Sequence, residues 1–103
     1  MNDEVVSQDP TVALVQPEGD LVAARLPALR STLSGAVAAG VLHMTLDLKR
    51  VEAVDSSGIG LLVSAHNSLK RAGGELTVIH ASRDILDLFR TMRIHQHFSI
   101  SGN

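Results

Sequence analysis

The segment VDSSGIG at residues 54–60 places one acid, two hydroxyl groups and two glycines between two apolar runs. A helix that begins here presents unpaired backbone N–H groups and the positive end of its dipole, which stabilise a nearby oxygen or phosphate. Asp55 or Ser56 can therefore cap such a helix. Gly58 and Gly60 leave room for another backbone or a phosphate to come close. The residue types favour a helix start that also offers an accessible hydroxyl group.

Two interpretations of this segment stay open from the residues alone. In the first, Asp55 and Ser56 form only an N-cap, which is worth about 1 kcal/mol. In the second, a serine is phosphorylated, which adds about −1.5 to −2 charges at the helix start. Together with Asp55, that charge would repel an acidic or apolar partner, so a switch could act at the surface without refolding the domain.

Hydrophobic periodicity predicts the elements that position this segment. Strands are predicted at residues 11–16, 43–48, 75–80 and 97–100. Three helices are predicted between them, and the second of these starts at the VDSSGIG segment and ends at residues 71–75. The first helix carries apolar residues at steps of three and four, and these inward residues are Leu26, Leu29, Leu33 and Val37. The third helix follows an N-cap at Ser82, and its inward residues are Ile85, Leu86, Leu88, Phe89 and Met92. Alternating strands and helices imply right-handed crossovers and a mainly parallel sheet. The residues EVV from Glu4 add a mixed edge if they pair with the first of these strands.

Length and composition predict a single α/β domain over residues 1–103, with a mixed, mainly parallel sheet flanked by helices. The 103 residues suffice for one core, and 45% hydrophobic with 19% charged residues is typical of a globular chain. We expect residues 1–10 to be an edge strand or a partly disordered segment, and residues 100–103 to be a tail.

Composition also argues against several functions. A net charge of −2, two Phe and no Trp or Tyr argue against nucleic acid as a partner. The absence of cysteine excludes disulfides and thiolate chemistry. The first ten residues lack a basic segment followed by a long apolar one, so we expect no membrane insertion and a cytoplasmic location. No P-loop lysine, G-x-G-x-x-G or G-x-S-x-G motif is present, so we expect no cofactor and no enzymatic activity.

Five histidines raise the question of a metal site. His95 and His97 could lie on one side of an extended segment, near His80 or His43. Without cysteine or a carboxylate at ligand spacing, we expect no metal and ordinary surface or hydrogen-bonded histidines. His66 lies about two and a half turns after Ser57 on the same helix, too far away to act as its base.

Residues 46–82, LDLKRVEAVDSSGIGLLVSAHNSLKRAGGELTVIHAS, resemble the STAS domains of bacterial anti-sigma-factor antagonists. That family has an Asp-Leu strand, a loop ending in Asp-Ser-Ser/Thr-Gly, a helix, a Gly-Gly pair and another strand. The likeness extends to DILDLFRTMRIHQHFSI at residues 84–100 and back to EGDL at residues 18–21. Two departures are the apolar residues 22–24 and the absence of glycine in TMRIHQHF at residues 91–98.

The resemblance implies a partner-switching protein rather than an enzyme. In the family, a serine kinase that is also an anti-sigma factor phosphorylates the antagonist, and a phosphatase resets it. The unmodified antagonist binds that kinase. By motif position the phosphoacceptor is Ser56, with Ser57 as second choice, and the partner-binding loop comprises Asp55, Ser56, Ser57, Gly58, Ile59 and Gly60. The alternative is a constitutive docking subunit, for instance of a lipid-transport ABC system, in which Ser56 only caps the helix and contacts the partner.

Overall fold

Strands and helices alternate in a computed structural model that describes residues 4–6 and 9–102. The five strands are β1 (Glu4–Val6), β2 (Val12–Gln16), β3 (His43–Asp47), β4 (Glu75–Ala81) and β5 (Ser99–Gly102). The three helices are α1 (Leu26–Ala38), α2 (Ser56–Arg71) and α3 (Arg83–Thr91). Short 3₁₀ turns lie at Ala23–Arg25 and Ile94–Gln96. None of the helices in the described ranges is long and apolar enough to span a membrane.

The sheet has the strand order β1-β2-β3-β4-β5. Strand β1 pairs antiparallel with β2, while β2, β3, β4 and β5 run parallel. The predicted mixed, mainly parallel sheet with an antiparallel edge is therefore confirmed. Alternate strand residues join the helices in one core, as the period of two dictates, and they are Ala13, Val15, Met44, Leu46, Leu76 and Val78. On the opposite face, Val12 and Leu14 are exposed.

The predicted bounds of α1, the end of α2 and the start of α3 rest on local chemistry and are confirmed. Pro27 lies in the first turn of α1, where its missing N–H removes no helical hydrogen bond. Gly40 and Gly73 follow α1 and α2 with φ of 103° and 86°, a backbone region that favours glycine. The Ser82 hydroxyl accepts a hydrogen bond of 3.3 Å from the Ile85 N–H and so caps α3.

The segment after α3 differs from the prediction. Helix α3 ends at Thr91, and Arg93 adopts a φ of 59°, so the chain turns away and leaves Met92 46% exposed rather than inward. Strand β5 begins at Ser99 instead of His97, because the preceding 3₁₀ turn brings Phe98 into the core. The strand continues to Gly102, which pairs with Ala81. Residues 100–102 thus belong to the sheet, and their assignment to a tail is wrong.

A polar cluster connects the carboxyl ends of β2, β3 and β4. The buried Asp47 carboxylate accepts a hydrogen bond of 3.0 Å from the Gln16 side chain and one of 2.9 Å from the Lys49 N–H. His80 Nδ1 lies 2.9 Å from Asp47 Oδ1, and His80 holds a φ of 57° at an irregularity in the β4–β5 pairing. Burial alone would raise the pKa of Asp47, but the hydrogen bonds and the His80 charge outweigh it and lower that pKa.

Because the folded-state pKa of Asp47 is lowered, its contribution to stability is present above the ordinary carboxyl pKa and is lost as pH falls through the folded pKa. We expect Asp47→Asn to lower the free energy of unfolding by about 1–3 kcal/mol at pH 7. The difference from the unmodified protein should narrow as pH falls below the ordinary carboxyl pKa of 3.8. Urea unfolding at each pH measures it, with the exposed Asp87→Asn as control. A difference that stays constant with pH would contradict this assignment.

Candidate functional site

Asp55, rather than Ser56, caps α2. Its backbone is extended, with φ of −99° and ψ of −177°, and its Oδ1 accepts a hydrogen bond of 3.0 Å from the Gly58 N–H. Ser56 is the first residue of the helix, and both Ser56 and Ser57 are exposed. Of the two capping residues that the sequence allows, the structure selects the acid. The interpretation in which Ser56 serves as the cap is therefore wrong.

The second oxygen of Asp55 holds the turn before α1. Oδ2 accepts a hydrogen bond of 3.2 Å from the Ala23 N–H, and the Asp55 N–H donates one of 3.1 Å to the Leu21 carbonyl. The Gly58 N–H is the main cause of a lowered Asp55 pKa, burial opposes it, and the Ala23 N–H lowers it further. Asp55 is therefore ionised at neutral pH, and it fixes the Ala23–Arg25 turn beside the start of α2.

Asp20 makes a second clamp between the same two loops. Its Oδ1 accepts hydrogen bonds of 3.1 Å from the Glu52 N–H and 3.0 Å from the Ala53 N–H. The Leu21 N–H donates to the Ala53 carbonyl at 3.0 Å, and Leu21 and Val54 form an isolated parallel bridge. The sequence alone gave Asp20 no contact with the later loop. Its position in EGDL, a segment of the family resemblance, was the available signal.

The two glycines of the segment have different surroundings. A Cβ atom on Gly58 would collide with the Leu21 carbonyl oxygen and lie 2.9 Å from the Leu21 Cβ. The lack of a side chain at Gly58 therefore lets another backbone segment come close, as predicted. That segment is the backbone of Leu21 in the same chain. A Cβ on Gly60 would have no neighbour within 4 Å.

The residues of the predicted partner-binding loop differ in their exposure to solvent. Ser56, Ser57 and Gly60 are exposed, whereas Gly58 is buried and Ile59 is a core residue with 4% exposure. The Ile59 side chain packs in the core and does not form part of the surface. The accessible part of the loop thus consists of two hydroxyl groups, the backbone at Gly60 and part of Asp55.

An apolar cavity lies beside the turn that Asp55 holds. Its volume is about 320 Å³, and Pro17, Leu21, Ala24, Pro27 and Leu29 are among the residues that line it. Polar groups at this cavity come from Asp20 and Arg25. The neighbouring Ala23 and Ala24 are exposed. The surface around the turn that Asp55 holds therefore combines small apolar residues with the charged Asp20 and Arg25, a composition that suits contact with another protein.

The histidines with described side chains lie at three places in the fold, and His66 and His97 share one of them. His80 contacts Asp47, and His43 Nδ1 lies 3.4 Å from Glu75 Oε2. The rings of His66 and His97 are 6.1 Å apart, and His66 is buried with an unpaired Nδ1, contrary to the expectation of surface or hydrogen-bonded histidines. The side chain of His95, which the sequence offered beside His97, lies outside the described part of the structure. Among the side chains that are described, no three metal-ligating groups come together as a site.

The fold and the aspartate-capped serine loop define a class of small α/β domain, and the comparison of sequence families gives that class its name. The STAS domain family matches residues 4–103. The chain therefore belongs to the STAS domain family.

Among individual proteins, the chain is similar to the anti-sigma F factor antagonist of Paenibacillus polymyxa, with 31% identity over 61 residues. That alignment covers 53% of this chain and 52% of the relative, so the match spans about half of the relative's length.

Solved structures share the fold. A putative anti-sigma factor antagonist from Thermotoga maritima superposes with a TM-score of 0.90 and 17% identity, over 98% of this chain and 86% of that one. The anti-sigma factor antagonist SpoIIAA superposes in its unphosphorylated form with a TM-score of 0.83, over 95% of this chain and 86% of that one, at 17% identity. The phosphorylated form of SpoIIAA from Bacillus gives a TM-score of 0.76 at 17% identity, over 95% of this chain and 89% of that one.

The environments of Gly58 and Gly60 predict opposite effects of the same substitution. Gly58→Ala drives a methyl group into the Leu21 backbone and should destabilise the fold by about 1–3 kcal/mol. Gly60→Ala should stabilise it by about 0.5–1 kcal/mol, because alanine loses less backbone entropy in a helix. Urea unfolding of both variants measures the difference. Equal changes in the two variants would show that Leu21 does not pack on the start of α2.

Proposed function

We propose that the protein is an anti-sigma-factor antagonist that binds a cognate serine-kinase anti-sigma factor and is released from it by phosphorylation of Ser56. The observation that carries the proposal is the division of roles at the start of α2. Asp55 uses both oxygens to cap the helix and hold the neighbouring turn, and Ser56 is exposed beside it. The name of the Paenibacillus polymyxa relative, an anti-sigma F factor antagonist, supports the antagonist part of the proposal.

A phosphate group on Ser56 is compatible with the fold. Ser56 is the first residue of a 16-residue helix, where the dipole and the unpaired N–H groups stabilise negative charge. The hydrogen bonds that shape the loop come from Asp20, Asp55 and backbone groups rather than from the serine side chain. Phosphorylation can therefore change the surface while the loop keeps its conformation.

The same phosphate opposes binding of a partner. It adds about −1.5 to −2 charges beside the ionised Asp55 carboxylate, at the edge of an apolar surface. Burial of this combined charge against a partner costs desolvation energy unless the partner supplies cations. The unmodified serine, in contrast, is a small neutral group that an interface can bury. The charge on Ser56 thus decides whether the surface formed by Ala23, Ala24 and the cavity can be covered.

The proposal includes the rest of the switching cycle. A phosphatase removes the phosphate and restores binding, the exchange takes place in the cytoplasm, and the output is transcriptional control through a sigma factor. The chain itself catalyses no reaction, and Ser57 is the second choice of phosphoacceptor. SpoIIAA, which shares the fold, is known in unphosphorylated and phosphorylated forms.

The phosphorylation site is tested by mass spectrometry of the protein recovered from its own cells. We expect one phosphate, located on Ser56, in the unmodified sequence and in Ser57→Ala, and none in Ser56→Ala. A serine kinase should co-purify with the unphosphorylated form. A protein that carries no phosphate during growth or stress, and that always accompanies one fixed complex, would contradict the switch and point to a constitutive docking subunit.

The effect of charge on binding is tested with the purified kinase partner and Ser56 variants. We expect Ser56→Asp to raise the Kd at least about tenfold, since the carboxylate must be desolvated in the interface. The neutral, equally large Ser56→Asn is the matched control and should bind nearly as tightly as Ser56→Ala, as measured by calorimetry. The free energy of unfolding of all three should agree within about 1 kcal/mol. Equal Kd values for Asp and Asn would show that charge does not operate the switch.

A further inference from the structure

The cavity beside the Ala23–Arg25 turn has a buried apolar floor and an exposed mouth. Pro17, Leu21 and Leu29 are the buried residues of its lining, and the space measures about 320 Å³. Ala24 and Ala28 are exposed at the mouth, and each contributes only a methyl group. An apolar cavity of about 150 Å³ can hold a benzene ring. This cavity therefore has room for the side chain of a leucine, methionine or phenylalanine.

Contacts within the chain hold the walls of this cavity in place. The Asp55 carboxylate accepts a hydrogen bond of 3.2 Å from the Ala23 N–H, and Asp20 accepts two from the backbone of the loop after β3. The Arg25 guanidinium lies against Gly19, where a Cβ atom would come within 2.6 Å of it. Because the walls are already ordered, a group that enters the cavity causes little further loss of conformational freedom.

The mouth of the cavity is continuous with the surface that carries Ser56. Ser56 directly follows Asp55, and Ala24 directly follows the Ala23 that Asp55 holds. Ser56, Ala23 and Ala24 are all exposed. A protein that covers Ser56 therefore also meets the cavity. Protein interfaces commonly have an apolar centre within a polar rim, and side chains that fill pockets at the centre supply most of the binding energy.

The apolar character of residues 22–24 is one of the two departures from the family that the sequence resembles. Residue 24 lines the cavity, and residue 23 is exposed next to it. Single exposed apolar residues are ordinary on a protein surface, whereas a group of them beside an apolar cavity marks a contact site. The departure thus falls on the part of the surface where a partner's apolar side chain can be buried.

We infer that this cavity receives one bulky apolar side chain, a leucine, methionine or phenylalanine, from the kinase partner. The inference rests on the proposed function, since it takes the kinase as the occupant. That choice follows from position, because the contact between Asp55 and Ala23 joins the cavity to Ser56. The apolar anchor supplies affinity, and the charge on Ser56 decides whether the interface can close over both.

The anchor is tested by filling the cavity from this chain. Ala28→Phe directs a ring into the cavity and should raise the Kd for the purified kinase at least about tenfold. Ala38→Phe is the matched control, because Ala38 is exposed on the same helix about 15 Å further along the axis and does not line this cavity. Its Kd should stay unchanged. Calorimetry measures both values, and equal Kd values in the two variants overturn the inference.

A second variant covers the case in which Ala28→Phe does not fold, as judged by urea unfolding. Ala24→Leu fills the mouth of the same cavity from the 3₁₀ turn, outside α1, and should also raise the Kd for the kinase. An unchanged Kd in a folded Ala24→Leu overturns the inference.

The partner's side chain is identified by cross-linking to the purified kinase. The chain contains no cysteine, so Ser31→Cys supplies a single thiol for a benzophenone maleimide, on an exposed position one turn after Ala28. Irradiation should join the probe to a segment with a leucine, methionine or phenylalanine. Replacing that residue with alanine should raise the Kd and remove the further effect of Ala28→Phe. A segment without such a residue, or fully additive effects, overturns the inference.

The outcomes separate the anchor from the switch. If the unmodified chain binds the kinase and Ser56→Asp weakens binding while Ala28→Phe does not, the switch stands and the anchor is wrong. If Ala28→Phe weakens binding while Ser56→Asp and Ser56→Asn bind equally, the anchor stands and the charge switch is wrong. Self-association of the unmodified chain that Ala28→Phe abolishes, as seen by sedimentation, assigns the cavity to a second copy and overturns the inference.

Discussion

The Asp55 carboxylate accepts one hydrogen bond from each of two segments, and the geometry of the serine loop depends on this double contact. One oxygen caps α2 through Gly58, and the other holds the Ala23 N–H, 32 residues earlier in the chain. An uncharged residue could satisfy one of these groups but would lack the charge that favours both. Asp55 makes the hydrogen bonds that hold the loop, so the adjacent Ser56 does not have to make them. The Ser56 hydroxyl group can therefore stay exposed at the surface.

The parts of the fold that the sequence predicts well are those with local causes. Strand periodicity, Pro27 at the start of α1, the Ser82 cap and the glycines after α1 and α2 each depend on a few neighbouring residues. Contacts between distant segments were not predicted. Asp20 binds the backbone more than thirty residues away, and His80 takes a left-handed conformation at the end of β4. The pattern of residues along one strand contains no information about such partners.

The sequence motif located the candidate site, whereas the separate roles of Asp55 and Ser56 became clear only in the structure. Both Asp55 and Ser56 are good capping residues, and the choice depends on where α2 begins. In the structure, the Leu21 backbone packs against Gly58, and the Gly58 N–H donates to the Asp55 carboxylate that caps the helix. Ile59 matches the motif as well as its neighbours do, yet its side chain lies in the core. A motif thus identifies a segment, but burial decides which of its side chains a partner can reach.

The contact between Asp55 and Ala23 also has a consequence for quality control during synthesis. Its two partners are separated by all of α1 and β3, so the contact exists only where these elements bring Ala23 and Asp55 together. Contacts of such large sequence separation form late, because the intervening chain must first be ordered. An incompletely folded chain contains the same DSSG sequence at residues 55–58 but lacks the capped helix start. A protein that recognises the shaped loop therefore discriminates between mature and immature copies of the chain without any separate folding sensor.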